Sequence, residues 1–168
     1  MARKLSAGLL LHRVNESSGV TEVLLVHPGG PFWAGKDAGA WSIPKGEYEE
    51  GEDVLAAARR EFAEEVGAGV PSGEVRELGV VRQRGGKVVT AFSVDADLDV
   101  SGARSNTFEL EWPPHSGTLR QFPEVDRVEW FALASARVKL LTGQVELLDR
   151  LVAQLVGQGR RVVEDAPG

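Results

Sequence analysis

Apolar residues along the chain fall into short blocks that are separated by turn-forming residues. Residues 4–13 form one such block, and residues 21–26 (TEVLLV) form a second one after the polar turn at residues 15–19. Short apolar runs with turn residues at both ends are typical of buried strands. The same criterion predicts further strands at residues 41–43, 74–83, 87–96, 106–112 and 127–131.

Three segments have a helical pattern instead. Residues 52–66 form the clearest helix, with acidic residues in the first turn, alanines inside and Gly67 at the end. Residues 133–140 and 143–156 are predicted as two more helices, the latter with apolar residues at helical spacing. Because strands and helices do not alternate regularly, the pattern predicts an α+β or α/β/α sandwich.

The blocks suggest one domain, at residues 1–157, followed by a polar C-terminal tail at residues 158–168 that we expect to fray. A long stretch rich in Gly and Pro, residues 28–40, separates the second and third predicted strands. Loops of this length within a compact domain often serve a function.

Composition narrows the classes of function. The 168 residues include no cysteine, which excludes a disulfide framework, a thiolate zinc site and a cysteine nucleophile. No apolar run approaches the roughly 18–20 residues that span a membrane, and the basic N-terminus is too short for a signal peptide. We therefore expect a cytoplasmic protein, monomer or homodimer, with no membrane partner.

The formal charge of −6 argues against nucleic acid as the primary ligand, since such a ligand needs a broad basic surface. An acidic enzyme can still bind polyphosphate when metal ions and a few local bases neutralise the charge. The expected partner is therefore a small-molecule nucleotide.

Three glutamates mark the chemistry of the helix at residues 52–66. Glu61, Glu64 and Glu65 occupy positions i, i+3 and i+4, which share one helix face. Like charges at this spacing repel each other, and clustered carboxylate oxygens suit Mg²⁺ or Mn²⁺. Taken alone, a glutamate-rich face is more often simply solvated.

The surrounding residues change that interpretation. Seven residues follow the spacing G-x5-E-x7-R-E-U-x-E-E-x-G-U, where U is a bulky aliphatic residue: Gly46, Glu52, Arg60, Glu61, Glu64, Glu65 and Gly67. A chance match of all seven has a frequency on the order of 10⁻⁸ per window at ordinary residue frequencies. Through this box, residues 46–68, the chain resembles the Nudix (MutT-like) hydrolase family. Phe62 and Ala68 depart mildly from the two U positions, and both are packing positions.

The resemblance implies a Nudix-type α/β/α sandwich with a mixed central sheet and hydrolysis of a nucleoside diphosphate derivative. It implies a Mg²⁺ cofactor, with Mn²⁺ as an alternative. Metal ligands would be Glu61, Glu64 and Glu65 with the Gly46 carbonyl, and Arg60, paired with Glu52, would orient a carboxylate.

The general base stays open at this stage. Glu61 or Glu64 would serve if the metal does not saturate it. Glu124 is the alternative from outside the box. It is equally well interpreted as an exposed loop residue with no role in the reaction.

Residues 41–46 (WSIPKG) resemble the subgroup that hydrolyses diadenosine tetraphosphate and nucleoside triphosphates. Lys45 adjoins the metal loop, where it would contact a phosphate. Arg82 and Arg84, together with Lys87, form a basic group at the Gly85–Gly86 turn that would steer the polyphosphate, although a solvated hairpin tip is an equal reading. Trp33, in the long loop, would stack on a nucleobase, although an aromatic residue in such a loop more commonly folds back onto the core.

Other substrates stay open, because the box does not distinguish a dinucleoside polyphosphate or nucleoside triphosphate from ADP-ribose, a nucleotide sugar or an oxidised nucleotide. Messenger-RNA decapping is a further possibility that the acidic charge disfavours. A catalytically inactive nucleotide-binding regulatory module is the alternative from another class. Such modules usually lose one of the box glutamates, whereas this chain retains all of them.

Overall fold

A central sheet covered by helices on both faces organises the chain. The computed structural model describes residues 4–166. Its strands and helices, in chain order, are β1 (Leu5–Val14), β2 (Thr21–Pro28), β3 (Lys45–Glu47), α1 (Val54–Val66), β4 (Glu74–Arg82), β5 (Val88–Asp95), β6 (Thr107–Glu111), β7 (Leu119–Pro123), β8 (Val125–Ala132), α2 (Leu133–Lys139) and α3 (Glu146–Gly157). The main sheet has the order β4-β5-β1-β2-β8, with β3 also paired to β1, and β6 and β7 form a separate hairpin.

The alternation of side chains along β1 divides the interior into two cores. Leu9 and Leu11 point to the face that α1 covers, where they pack with Phe62. Leu10 points to the opposite face, where it packs with residues of α2 and α3 such as Leu133 and Leu148. Both faces of β1 are therefore buried, as its nearly continuous apolar sequence requires. The result is the expected α/β/α sandwich.

The sheet is mixed. β1 runs parallel to β5 over eight residue pairs, and its other pairings are antiparallel. The second edge of β1 is shared between two strands, because β2 pairs only with residues 12–14 and β3 pairs with residues 6–8. Val26 of β2 and Ser42, which precedes β3, are joined by an antiparallel bridge, and both line a cavity.

Capping fixes the position of α1. The Asp53 carboxylate accepts a hydrogen bond of 2.9 Å from the Ala56 N–H at the start. Gly67 ends the helix at φ 80°, and a Cβ there would lie 2.1 Å from the Arg104 carbonyl oxygen. The predicted start at residue 52 was two residues early, so the acidic residues precede the first turn.

Two sequence predictions about strands were wrong. Residues 41–43 form only single bridges, Trp41 to Leu140 and Ser42 to Val26, and the regular strand β3 begins after Pro44. The reason is that Pro44 has no N–H and the Ile43 N–H donates to the Gln144 side chain rather than to a strand. Strand β7 was missed, since its residues are mostly exposed and show no alternation of apolar and polar positions.

The expectation of a frayed tail was also wrong for the part that the structure describes. The Thr21 and Ala134 N–H groups donate to the carbonyls of Val163 and Glu164, both at 2.9 Å. Arg160 binds Asp95 at 2.7 Å. Backbone pairing therefore holds this segment against the domain, despite its polar sequence. The assignment of residues 1–157 as the domain stays a prediction. Within residues 4–166, no helix has the length and apolar character needed to cross a membrane.

Candidate active site

The carboxylates of α1 lie against the backbone of β3. At Gly46 an added Cβ would stand 1.9 Å from Glu61 Oε2 and 2.2 Å from its Cδ, so the carboxylate occupies the space of a side chain. The buried residues Ala57, Ala58, Phe62 and Val66 fix the adjoining face of α1 in the core. The glutamates are thus held on a rigid helix at the edge of the cavity.

Arg60 connects the glutamate face to the loop before the helix. Its guanidinium forms a close ion pair with Glu52 and contacts Glu61 Oε1 at 3.2 Å. A third hydrogen bond, of 3.3 Å, reaches the Glu47 carbonyl. These contacts raise the pKa of Arg60. The pKa of Glu52 is lowered by the hydrogen bond that it accepts from the Glu49 N–H and by its contact with Arg60. The expected Arg60–Glu52 pairing is present, and it orients Glu61.

Burial raises the pKa of Glu61, and the neighbouring charge of Glu64 adds to the rise while Arg60 opposes it. Burial also raises the pKa of Glu65 to about 7. The Lys45 N–H, which donates to Glu65 Oε1 at 3.0 Å, and the Lys45 ammonium oppose that rise, whereas Glu124 and Glu61 reinforce it. Carboxylates with pKa values raised in this way gain from a bound cation, because the cation stabilises the ionised form.

A cavity of about 330 Å³ opens beside Glu65, a volume within the range of small-molecule sites. Its lining combines an acidic side, a basic side and an apolar wall. The residues that line it are Val26, Pro28, Trp33, Ala40, Ser42, Lys45, Glu65, Gln83, Lys87, Glu124, Val125 and Leu141. They come from β2, β3, α1, β8 and the connections between strands, so only the fold brings them together.

Two lysines meet on the basic side of the cavity. Burial and the adjacent Lys87 together lower the pKa of Lys45 to about 8, against the influence of Glu65 and Glu47. Within residues 4–166 neither lysine takes part in an ion pair with a carboxylate. Two adjacent ammonium groups repel each other, and an anion bound between them would relieve that repulsion.

Glu124 faces the same cavity from the turn between β7 and β8. Its main chain is held on both sides, since the carbonyl accepts the Gly29 N–H at 2.9 Å and the N–H donates to the Asn106 carbonyl at 2.8 Å. Its charge acts on Glu65. A residue that is distant from the box in sequence is therefore close to the box carboxylates in space.

The candidates for substrate binding separate into two groups. Lys45 and Trp33 line the cavity, whereas Arg82 and Arg84 do not. Arg84 lies at a neighbouring pocket that shares Gln83 and Leu141 with the cavity, and Arg82 is exposed on β4. Lys87 reaches the cavity from the basic group at the Gly85–Gly86 turn. Sequence reasoning did not find Gln83, for which no sequence signal exists.

The donor set fits a hard divalent cation. Carboxylate oxygens gather along one helix face, and the bare backbone at Gly46 gives the Glu61 carboxylate room. Within residues 4–166 no three acidic or histidine side chains converge tightly enough to enclose an ion. An open set of carboxylates suits Mg²⁺, which usually keeps several waters and completes its coordination with substrate phosphates.

Comparisons with known proteins agree with this geometry. The NUDIX domain family model matches residues 3–154 of the chain. Two solved structures share the fold over 92% of the chain. One is the NUDIX domain of Shewanella oneidensis NrtR complexed with ADP ribose, with a TM-score of 0.62, 19% identity and 90% of that chain covered. The other is a C. elegans Ap4A hydrolase binary complex, with a TM-score of 0.59, 23% identity and 98% of that chain covered.

A curated relative matches a shorter segment. The RNA pyrophosphohydrolase of Caulobacter vibrioides is 46% identical over 50 residues, which is 27% of this chain and 29% of the relative. The match thus spans less than a third of the curated relative's length.

Proposed function

The chain belongs to the NUDIX domain family, and on that basis we propose that it is a Mg²⁺-dependent pyrophosphohydrolase that cleaves a dinucleoside polyphosphate or a nucleoside triphosphate. Members of this family generally use divalent metal ions. Glu61, Glu64 and Glu65, with the Gly46 carbonyl, would hold the metal. The full set of box glutamates, on a helix fixed by its caps, supports an active enzyme rather than an inactive binding module.

One observation carries the choice of substrate: Lys45 and Lys87, which line the cavity with Glu65 and Glu124, have no ion-pair partner among residues 4–166. The metal held by the carboxylates would bind the phosphates on either side of the phosphoanhydride bond that is cleaved. Lys45 and Lys87 offer a second anionic subsite in the same cavity. A chain of three or more phosphates would fill both subsites, whereas the two phosphates of ADP-ribose would leave the lysines uncompensated.

The reaction would be attack of water on a phosphorus atom. A bound Mg²⁺ would neutralise phosphate charge and lower the pKa of the attacking water. Arg60 would keep Glu61 in position through its 3.2 Å contact. Lys45 would bind phosphate oxygens, and Trp33 would form an apolar wall for a base. Arg84, beside the mouth, would steer the polyphosphate electrostatically, and Arg82 would add to the same field.

We assign the general base to Glu124. Glu61 is held by Arg60, and Glu65 accepts the Lys45 N–H, so both have a positioning contact that Glu124 lacks within the described residues. Glu124 is exposed and faces the cavity, where it can take a proton from water. Glu64 is the alternative base, since it shares the helix face of Glu61 and its carboxylate helps to raise the pKa of Glu61.

A second candidate function follows from the curated relative. Its name, RNA pyrophosphohydrolase, suggests removal of phosphates from an RNA end by this chain. The 46% identity over 50 residues favours this candidate. The formal charge of −6 disfavours it, because RNA binding gains most of its affinity from basic surface.

The test is product analysis on a panel: diadenosine tetraphosphate, diadenosine triphosphate, ATP, ADP-ribose, 8-oxo-dGTP and an RNA oligomer with a 5′-triphosphate, each with Mg²⁺, Mn²⁺ or EDTA. The proposal expects metal-dependent cleavage that is faster for the small substrates with three or more phosphates, which include 8-oxo-dGTP, than for ADP-ribose. Faster cleavage of ADP-ribose would contradict the two-subsite argument. Faster cleavage of the RNA would favour the second candidate.

Lys87→Gln probes the anionic subsite directly. Its KM should rise about tenfold or more for diadenosine tetraphosphate, which corresponds to roughly 1.4 kcal/mol or more of lost charge-assisted binding. The KM for ADP-ribose should change less. Arg161→Gln, at an exposed arginine in another surface groove, is the matched control and should leave both constants unchanged. An equal effect of Lys87→Gln on the KM values of the two substrates would contradict the proposed lysine subsite.

A further inference from the structure

Gln144 is a fully buried amide that joins three segments of the cavity wall. Its Oε1 accepts the Ile43 N–H at 2.9 Å. Its Nε2 donates to Ser42 Oγ and to Gln83 Oε1, each at 3.0 Å. Ser42 and Gln83 both line the cavity, whereas Gln144 lies behind them. The buried amide therefore supports two side chains that a ligand would meet.

The direction of these hydrogen bonds follows from the backbone. A main-chain N–H can only donate, so the group that faces Ile43 must be the amide oxygen of Gln144. The amide nitrogen then faces Gln83, and Gln83 must present its oxygen in return. The orientation of the Gln83 amide is thus fixed by hydrogen bonds that begin at the Ile43 N–H, a main-chain donor whose role cannot be reversed.

The fixed orientation leaves the NH₂ group of Gln83 for the cavity, because its oxygen is engaged by Gln144. The Gln83 NH₂ makes no hydrogen bond within residues 4–166. Ser42 cannot act as a donor to a ligand, because its hydroxyl donates to the Ile43 carbonyl at 2.7 Å. The nearby lysines, Lys45 and Lys87, are donors. This side of the cavity consequently offers donors to a bound molecule.

We propose that Gln83, oriented by Gln144, is a specificity-determining residue that selects a hydrogen-bond acceptor on the nucleobase and so favours 6-oxopurine over 6-aminopurine nucleotides. The inference deepens the proposed function and rests on it for the nature of the substrate. Guanine has adjacent acceptors at O6 and N7, both of which suit the Gln83 NH₂. Adenine has the same N7 acceptor but a donor at N6, so it offers the Gln83 NH₂ one acceptor where guanine offers two adjacent ones. Trp33, which packs against the core and carries the Lys36 ammonium 5.0 Å from its ring centroid, lines the same cavity.

A phosphate oxygen is another acceptor that this NH₂ could bind. Nucleotides that differ only in the base show whether the NH₂ binds the base or the phosphate. Dissociation constants for GTP, ITP and ATP are measured by calorimetry in EDTA, so that binding is read without turnover. The kcat/KM values for the same three are then measured with Mg²⁺. ITP shares the 6-oxo group with GTP but lacks the 2-amino group, and it isolates the 6-position.

In the wild-type protein we expect GTP and ITP to bind about tenfold more tightly than ATP, the effect of one matched against one mismatched hydrogen bond. Gln83→Met removes the NH₂ on a half-buried residue and should bring the ratio close to one. Gln144→Met keeps Gln83 but frees its amide to turn, and should also reduce the ratio. A purely structural role of Gln144 would weaken binding of all three nucleotides equally.

Equal binding of the three nucleotides by the wild-type protein, or a ratio that Gln83→Met leaves unchanged, would overturn the proposal. A uniform loss for all three in Gln83→Met would assign the NH₂ to phosphate and would also overturn it. The ratio of dissociation constants is measured in EDTA and does not depend on turnover. If the protein shows this ratio but does not hydrolyse the nucleotides, only the proposed function is refuted. Circular dichroism checks that Gln144→Met folds, and Gln83→Met carries the test if it does not.

Discussion

The backbone at Gly46 lies against the Glu61 carboxylate so closely that a Cβ would stand 1.9 Å from Oε2. No real Cβ contact is that short, so any side chain at this position must displace Glu61. Gly46 and Glu61 are brought together by the packing of α1 against β3. This relationship explains physically why a glycine begins the box, and it gives the first prediction.

Gly46→Ala should reduce kcat by at least tenfold, because the methyl group moves Glu61 from the position that Arg60 gives it. The backbone of Gly46 has no positive φ, so the cost is steric and confined to the site. Gly69→Ala is the matched control, since nothing lies within 4 Å of a Cβ there. Unchanged kinetics in Gly46→Ala would show that the position of Glu61 is not required.

Arg60→Gln should reduce kcat without a large change in melting temperature. Arg60 is exposed and contacts Glu52, Glu61 and the Glu47 carbonyl, so its loss frees the Glu61 carboxylate while the core stays intact. The neighbouring exposed Arg59, for which the described residues show no ion pair or side-chain hydrogen bond, supplies the control variant Arg59→Gln. The two variants should differ in steady-state kinetics. If both retain full activity, Arg60 has no positioning role.

Phe62→Ala should act on stability. The Phe62 side chain is fully buried in the core between α1 and the sheet. Truncation of such a ring costs roughly 3–5 kcal/mol of unfolding free energy. Urea unfolding measures the loss, and Val156→Ala, at an exposed position of α3, should cost roughly 0.5 kcal/mol or less. An equal and small cost for both variants would contradict the packing of α1.

The burial of His12 predicts how the free energy of unfolding depends on pH. It is buried in β1, and burial is the main cause that lowers its pKa from 6.5, with Arg160 adding to the effect and Asp95 opposing it. The unfolded chain therefore takes up a proton in a pH range in which the folded protein does not. The His12 contribution to the free energy of unfolding should fall as pH drops below about 6.5, whereas Glu65, whose pKa is raised to about 7, contributes with the opposite sign in the same range. Urea unfolding at pH 5.5, 6.5 and 7.5 should therefore show that the unfolding free energy of the wild-type protein minus that of His12→Gln falls as pH drops, and a difference that does not change with pH would contradict the role of His12.

The sequence predicted well the parts of the fold whose causes are local. Helix α1 follows from its periodicity and the glycine at its end, and buried β1 follows from its continuous apolar sequence. Strand β7 escaped prediction because it pairs only with β6 and buries almost nothing, so it has no apolar signature. The docked segment at residues 160–164 likewise depends on pairing with Thr21 and Ala134, which its own sequence does not reveal.

For the site, the box predicted the carboxylates and Arg60, because their spacing on one helix is a local property. The partners across the cavity depend on the fold. Lys87 reaches Lys45 because β5 and β3 both pair with β1, on opposite edges. Gln83 gains its fixed orientation only from Gln144, 61 residues away in sequence. Contacts of this kind carry no pattern that a single sequence can show.

The central claim is that the α1 glutamates hold the metal that the reaction requires. The most direct measurement compares kcat of Glu64→Gln and of the control Glu109→Gln, at an exposed glutamate of β6, over a titration with Mg²⁺. We predict that Glu64→Gln lowers kcat by orders of magnitude with an unchanged circular dichroism spectrum, while Glu109→Gln retains wild-type kinetics. Full activity of Glu64→Gln, at the same Mg²⁺ concentration as the wild-type protein, would contradict the assigned role of the glutamate face.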